Sequence, residues 1–153
     1  MGCWVSRGPL PPVFLFGAMV AMVVLHLFVP LAQLASSWWR LVGGSAVLVG
    51  GVAVNLWADR LFKRAGTSVT PFEASTVLIV EGPFALSRNP MYLGMVLILV
   101  GTAVGLGSLS PWIVIPVFVW QVQRRFILPE EAKLEGTFGS RYVEYKRATR
   151  RWL

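Results

Sequence analysis

The sequence predicts an all-α integral membrane protein of about four transmembrane helices, the last two an antiparallel hairpin, with a cytoplasmic loop and a C-terminal interfacial helix. Three observations lead there. The 153-residue chain is 56% hydrophobic and only 14% charged, and its mean hydropathy of +0.66 lies outside the range of ordinary soluble domains. Four stretches, residues 12–35, 41–58, 91–108 and 111–128, are long and apolar enough to cross a hydrocarbon core of ~30 Å as helices. Thirteen of the fourteen basic residues fall in segments that four crossings place on one side of a bilayer.

Ahead of the first span, "MGCWVS" fits an N-terminal acylation pattern, with Cys3 placed for a second acyl group, and the run that follows could be read as a signal peptide. A chain held by four spans gains little from acylation, and the run exceeds a typical signal h-region. Cys3 is the only cysteine, so neither an intrachain disulfide nor a thiolate metal cluster is expected. Within span one, His26 has no acid at membrane depth to work with and reads as an interhelical hydrogen-bonding group. Asn55 and Gln121 read the same way. Pro30 and Pro116 are expected to kink or loosen their helices.

The second span carries Gly43, Gly44, Gly50 and Gly51, with Ala46-x-x-x-Gly50, and the third carries Gly101-x-x-x-Gly105. Small residues at such spacings let helices approach closely, within one chain or between copies in an oligomer. Spans three and four, each about 18 residues or ~27 Å, are joined by "GSLS", short enough to force an antiparallel hairpin. The only arginines inside the spans, Arg124 and Arg125, fall in the last turn of the fourth, where a long side chain can reach the interface. The terminal helix from Ser140 would set Tyr142, Tyr145, Thr149 and Trp152 in a stripe flanked by basic residues, as interfacial helices do.

Charge then orients the chain. Arg7, the group Arg60, Lys63, Arg64 and Arg88, and the eight basic residues from Arg124 onward share one side, while the opposite loops hold only Arg40. The positive-inside rule gives N-in and C-in, and an Arg-over-Lys bias hints at a GC-rich bacterium and hence its inner membrane. A net charge of +7 distributed in this way faces anionic headgroups rather than nucleic acid.

The hairpin brings "SRNPMY" at the start of span three to within about one interhelical distance, 8–10 Å, of "RRFILPEE" at the end of span four. Arg88, Asn89 and Tyr92 then face Arg124, Arg125, Glu130 and Glu131 beneath a loop containing Gly82-Pro83-Phe84. Each group alone is an ordinary interfacial anchor or helix start. Two carboxylates opposite arginines and an aromatic together suit a small zwitterionic ligand with a flat ring.

The ordered set "TPFEASTVLIVEGPFALSRNPMYLG", an apolar hairpin, "PEEAKLE", "FGSRYVEYK" and "RRWL" resembles the isoprenylcysteine carboxyl methyltransferase and phospholipid methyltransferase family of integral membrane enzymes, over residues 66–153. The resemblance implies S-adenosylmethionine (SAM) held at the cytoplasmic end of the hairpin, and the chain has no Gly-rich dinucleotide fingerprint. It assigns the cofactor to segments 76–92 and 124–131. Thr76, Val77, Leu78 and Ile79 match the stretch lining the cofactor, and Phe84 matches an aromatic wall. Asn89, Pro90, Met91 and Tyr92 match the run that contacts SAM, with Arg88 beside it. Glu130 matches a cofactor-binding carboxylate, with Glu131 its neighbour. Arg125 lies about one residue from an arginine that the family uses in substrate handling.

Asn89 stands where the prenylcysteine enzymes have His. It can exchange hydrogen bonds but cannot titrate, so no base operates there. The chain also lacks the longer multi-span N-terminus of the eukaryotic prenylcysteine enzymes, which argues against a prenylcysteine substrate. The implied reaction is methyl transfer to a lipid or other hydrophobic small-molecule acceptor entering from the bilayer. Two alternatives stay open: an NADPH-dependent membrane reductase with a related hairpin core, and a non-enzymatic assembly or partner protein.

Overall fold

The computed structural model describes residues 9–33, 38–66 and 77–153; the expectations for Cys3, Arg7 and Thr76 fall outside them. Among the described residues every regular element is helical. The helices are α1 (Pro11–Phe28), α2 (Trp38–Arg64), the single turn α3 (Pro83–Leu86), α4 (Pro90–Leu106), α5 (Val114–Val122), α6 (Leu128–Phe138) and α7 (Ser140–Ala148). Two of them, α1 and α2, are long and apolar enough to cross a membrane. At 17 residues, or about 25 Å, α4 is apolar but shorter.

Proline sets several boundaries. Pro11 opens α1 and Pro90 opens α4, where a missing N–H leaves no bond unmade and φ is already helical. The expected first span to residue 35 ends instead at Phe28, and Pro30 terminates the helix rather than kinking it. The residue before a proline is pushed out of the helical region, so α1 stops ahead of it. Conversely α2 outruns its expected bounds at both ends, reaching Arg64.

The expected fourth span divides into different helical geometries. A 3₁₀ turn at Ser110–Ile113 leads into α5, a π turn at Gln123–Ile127 follows, and α6 continues directly. Pro129 sits in the first turn of α6, and the wide turn just before it frees the carbonyl that a proline ring would otherwise strike. The same turn leaves Arg124 and Arg125 outward while Phe126 and Ile127 are buried.

Helix α4 is the hub. α2 lies along it most extensively, and α1 and α5 also pack on it, around Met22, Met95, Leu99, Phe118 and Val122. The α2–α4 seam is a run of glycines. A Cβ on Gly44 would come within 2.7 Å of the Gly101 carbonyl oxygen, and one on Gly51 within 2.6 Å of the Gly94 oxygen. The numbering runs in opposite directions along the two helices, so they are antiparallel. A Cβ on Gly43, Gly50 or Gly105 would meet nothing within 4 Å, so Gly43 and Gly50, expected to pack with the rest, look onto open space, while Gly105 joins the seam through its backbone, 2.9 Å from where a Gly44 Cβ would sit. A seven-residue spacing keeps Gly44 with Gly51, and Gly94 with Gly101, on one face; a neighbour is turned by about 100°.

At the C-terminal end of α4, Gly107 takes the left-handed conformation with φ 74°. His26 Nδ1 and Ser108 Oγ are 2.8 Å apart, so His26 is a hydrogen-bonding group as expected, but its partner lies in the turn after α4 and not on a helix. Asn55 instead bonds within its own helix, donating to the Gly51 oxygen at 3.1 Å.

Candidate functional site

At the opposite end of α4 the chain turns sharply before the helix begins. Gly82 adopts φ 60°, leads into α3, and packs close to Trp57 and Leu61 of α2. Phe84 meets Phe62 edge to face at 5.3 Å. Asn89 occupies the N-cap position of α4 yet makes no side-chain capping bond, although Asn is among the residues best suited to one. Its amide Nδ2 instead donates to the Arg151 carbonyl oxygen at 3.1 Å. A local capping bond has been exchanged for a tertiary one.

Arg88 is the centre of that tertiary set. Its backbone N–H donates to the Arg150 oxygen at 3.0 Å, Nη1 to the oxygens of Lys146 and Thr149 at 3.1 and 3.2 Å, and Nη2 to Glu131 Oε1 at 2.9 Å. The Arg88 and Glu131 side chains are each only 9% exposed. Arg151 completes the pair from the other side, Nε to Oε1 at 3.0 Å and Nη2 to Oε2 at 2.7 Å. Burial works against the Glu131 charge, but the bonds from Arg151 and the charge of Arg88 outweigh it and hold its carboxyl below the usual range. Both Glu131 oxygens are thereby engaged within the protein.

Glu130 has the contrary environment. Tyr92 OH donates to its Oε2 at 3.3 Å. Burial pushes the Glu130 carboxyl up to about 7, against that hydrogen bond and the charge of Lys133, which both hold it down. Adjacent carboxylates are thus driven apart, Glu131 fixed as an anion and Glu130 poised near neutrality, a separation that marks functional sites.

Two cavities share this wall. One, of about 270 Å³, is bounded by Leu10–Pro12 at the start of α1, by Phe62 of α2, and by Pro90, Met91 and Met95 of α4. The other is a narrow cleft of about 40 Å³ bounded by Val77, Leu78 and Ile79, by Glu131 and Leu134, and by Tyr142 and Tyr145. Phe62, Phe84, Arg88, Asn89 and Glu130 border both. Arg88 Nε, buried and without a hydrogen-bond partner, is a spare donor in that wall.

The structure therefore gathers every expected site residue among those described except Arg125. Its guanidinium lies over the Phe14 ring at 5.4 Å and borders neither cavity. Phe14 in turn packs edge to face on Phe126, which stacks with Tyr92. The terminal helix also departs from expectation. Tyr142, Tyr145 and Thr149 are buried against the protein, and Tyr145 OH donates to the Phe84 oxygen at 2.6 Å. Burial pushes the Tyr145 hydroxyl up to about 12, so it stays a donor. The aromatic stripe was visible in the sequence; that it faces the site and not lipid follows from its docking on α3. Phe62 and Leu10–Pro12 carried no local signal, and Arg151, though within "RRWL", had no expected role at the site.

A helical protein whose apolar helices carry a bipartite polar and apolar pocket at one end is the class that fold and site define. Residues 39–141 match the phospholipid methyltransferase family, and the chain belongs to it. It is 38% identical over 63 residues to an uncharacterized protein of Haemophilus influenzae, covering 41% of this chain and all of that one. It is 31% identical over 114 residues to protein-S-isoprenylcysteine O-methyltransferase B of Arabidopsis thaliana, covering 73% of this chain and 58% of the plant protein. With protein-S-isoprenylcysteine O-methyltransferase of Schizosaccharomyces pombe the figures are 29% over 89 residues, 55% of this chain and 38% of the yeast protein. The chain thus spans little more than half the length of the plant relative and less of the yeast one. No solved structure matches it.

Proposed function

We propose that this protein is an integral membrane methyltransferase that transfers a methyl group from SAM to a lipid or other hydrophobic small molecule at the cytoplasmic membrane face. The observation that carries the reading is the shared wall: a cleft lined by charged and phenolic groups and an apolar cavity meet at Phe62, Phe84, Arg88, Asn89 and Glu130. A charged donor and a greasy acceptor need such a pair of compartments with one common boundary. Family membership supports the chemistry, and the names of the plant and yeast relatives support an acceptor with a lipid-like part.

The residues present fit SAM. Glu130, which accepts from the Tyr92 phenol and borders both cavities, suits an ammonium or ribose hydroxyls. The spare Arg88 Nε suits a carboxylate, and Phe84 and Phe62 offer flat apolar surface. When bound, SAM would supply the electrophilic methyl group. The protein's share is to hold the acceptor in line behind it and exclude water, and such positioning can contribute ~7–11 kcal/mol. The apolar cavity, lined by Leu10–Pro12 of α1 and Phe62 of α2, would take the acceptor from the bilayer between those helices.

The same reading takes α1, α2, α4 and the helical run from Ser110 as four spans, α4 and that run forming an antiparallel hairpin, N-in and C-in. It is supported by the basic residues, of which all but Arg40 fall on the site's side of such a topology. Equilibrium titration of the purified protein in detergent with SAM, and separately with NADPH, tests it. SAM binding alone is expected; NADPH binding alone would establish a reductase, and binding of neither a non-enzymatic role.

A further inference from the structure

We propose that Arg151 is a positioning residue of the cofactor site, the buckle of a C-terminal strap that holds Arg88 and Asn89 in their working geometry; this rests on the SAM reading above. Arg151 borders neither cavity, so it acts through others. Its guanidinium grips Glu131 with two bonds, of 3.0 and 2.7 Å, and Glu131 in turn holds Arg88 at 2.9 Å. Its carbonyl oxygen receives Asn89 Nδ2 at 3.1 Å and Ser87 Oγ at 3.2 Å. The strap is fastened on both sides of it: the oxygens of Thr149 and Arg150 take bonds from Arg88, and Trp152 Nε1 donates to Gln123 Oε1 at 3.2 Å.

Together these contacts engage three of the five guanidinium N–H groups of Arg88, leave its buried Nε without a partner, and orient Asn89; both residues border both cavities. Take away the Arg151 fork and Glu131 is left facing a single guanidinium, free to rotate towards it and to draw Arg88 out of the shared wall. A planar, bidentate grip is what arginine provides and lysine does not.

Calorimetric SAM titration of the detergent-solubilised full chain tests this, using wild type, Arg151→Ala, Arg151→Lys, Glu131→Gln and the Glu131→Gln/Arg151→Ala double variant. Arg151→Ala is expected to lower SAM affinity about tenfold, the size of one lost charge-assisted hydrogen bond, with Arg151→Lys in between. Because the effect runs through Glu131, Arg151→Ala is expected to add less than about twofold in the Glu131→Gln background. An equal loss in both backgrounds overturns the proposal. So does unchanged affinity in Arg151→Ala with faster hydrogen exchange at the Arg88 amide, which marks a merely structural tail. Should Arg151→Ala not fold, Arg151→Lys decides by the same comparison. A wild type that binds no SAM refutes the methyltransferase reading itself; one that binds SAM indifferently to Arg151 refutes only the strap.

Discussion

Tyr92 OH donates to Glu130 Oε2 across 3.3 Å, joining the first turn of α4 to the first turn of α6 over 38 residues of sequence. The bond gives the shared wall its unusual member, a carboxyl held near neutrality beside an aromatic while its neighbour Glu131 is locked between two arginines.

Glu130 is predicted to trade stability for binding. Glu130→Gln should weaken SAM by ~1.5–3 kcal/mol, about ten- to a hundredfold, through lost charge-assisted bonds. Glu135→Gln should leave affinity unchanged, since Glu135 is half exposed and pairs with Lys146. Calorimetry on both variants decides; equal effects would reduce the acidic turn to a helix start.

The pH dependence follows from the direction of the Glu130 shift. Its folded-state pKa of about 7 lies above its ordinary value of 4.5, so the folded protein binds the extra proton between those values. The stabilising contribution is full below the lower value and is lost as pH rises through the upper one. Glu130→Gln should therefore raise the melting temperature relative to wild type at pH 8 and barely alter it at pH 5. A gain at pH 5 equal to that at pH 8 would contradict the shift.

Asn89 and Tyr92 separate a site from a membrane anchor. Tyr92→Phe should cost SAM affinity ~0.5–1.5 kcal/mol, about two- to twelvefold, while the protein stays folded. Asn89→Ala should do the same and also lower the melting temperature, because its amide is tied to the Arg151 carbonyl. Asn89→His should be tolerated, its ring able to donate the same bond. Indifference of affinity to both Tyr92→Phe and Asn89→Ala would leave them as anchors.

The glycine seam makes a prediction about neighbours. Gly101→Ala would drive a Cβ to 2.5 Å from the Gly44 oxygen and 2.6 Å from the Leu48 nitrogen, and should destabilise the protein by ~1–3 kcal/mol. Gly50→Ala meets nothing within 4 Å and should be neutral or slightly stabilising. Melting temperatures in one detergent check the pair.

Reporter fusions test the orientation. Fusions at Leu153 and near Lys63 should read cytoplasmic and one at Ser108 external. An external Lys63 would place α2 against the charge rule and separate the two ends of the site.

The sequence by itself determined the helical class, the apolar stretches, the proline-led start of α4 and the two motifs, "SRNPMY" and "PEE", that meet at the pocket. Those are local properties: periodicity, composition and backbone restriction act within a few residues. It also carried the resemblance that named SAM. Tertiary structure alone decided which glycines touch, since Gly50 and Gly51 look alike in one dimension and differ by a third of a turn in space. It alone turned Tyr142 and Tyr145 inward, set Arg125 over Phe14 and away from both cavities, and gave Arg151 two bonds to a carboxylate 20 residues earlier. A buried guanidinium or carboxylate is stable only where partners converge on it, and convergence is a property of packing that no short stretch of chain encodes.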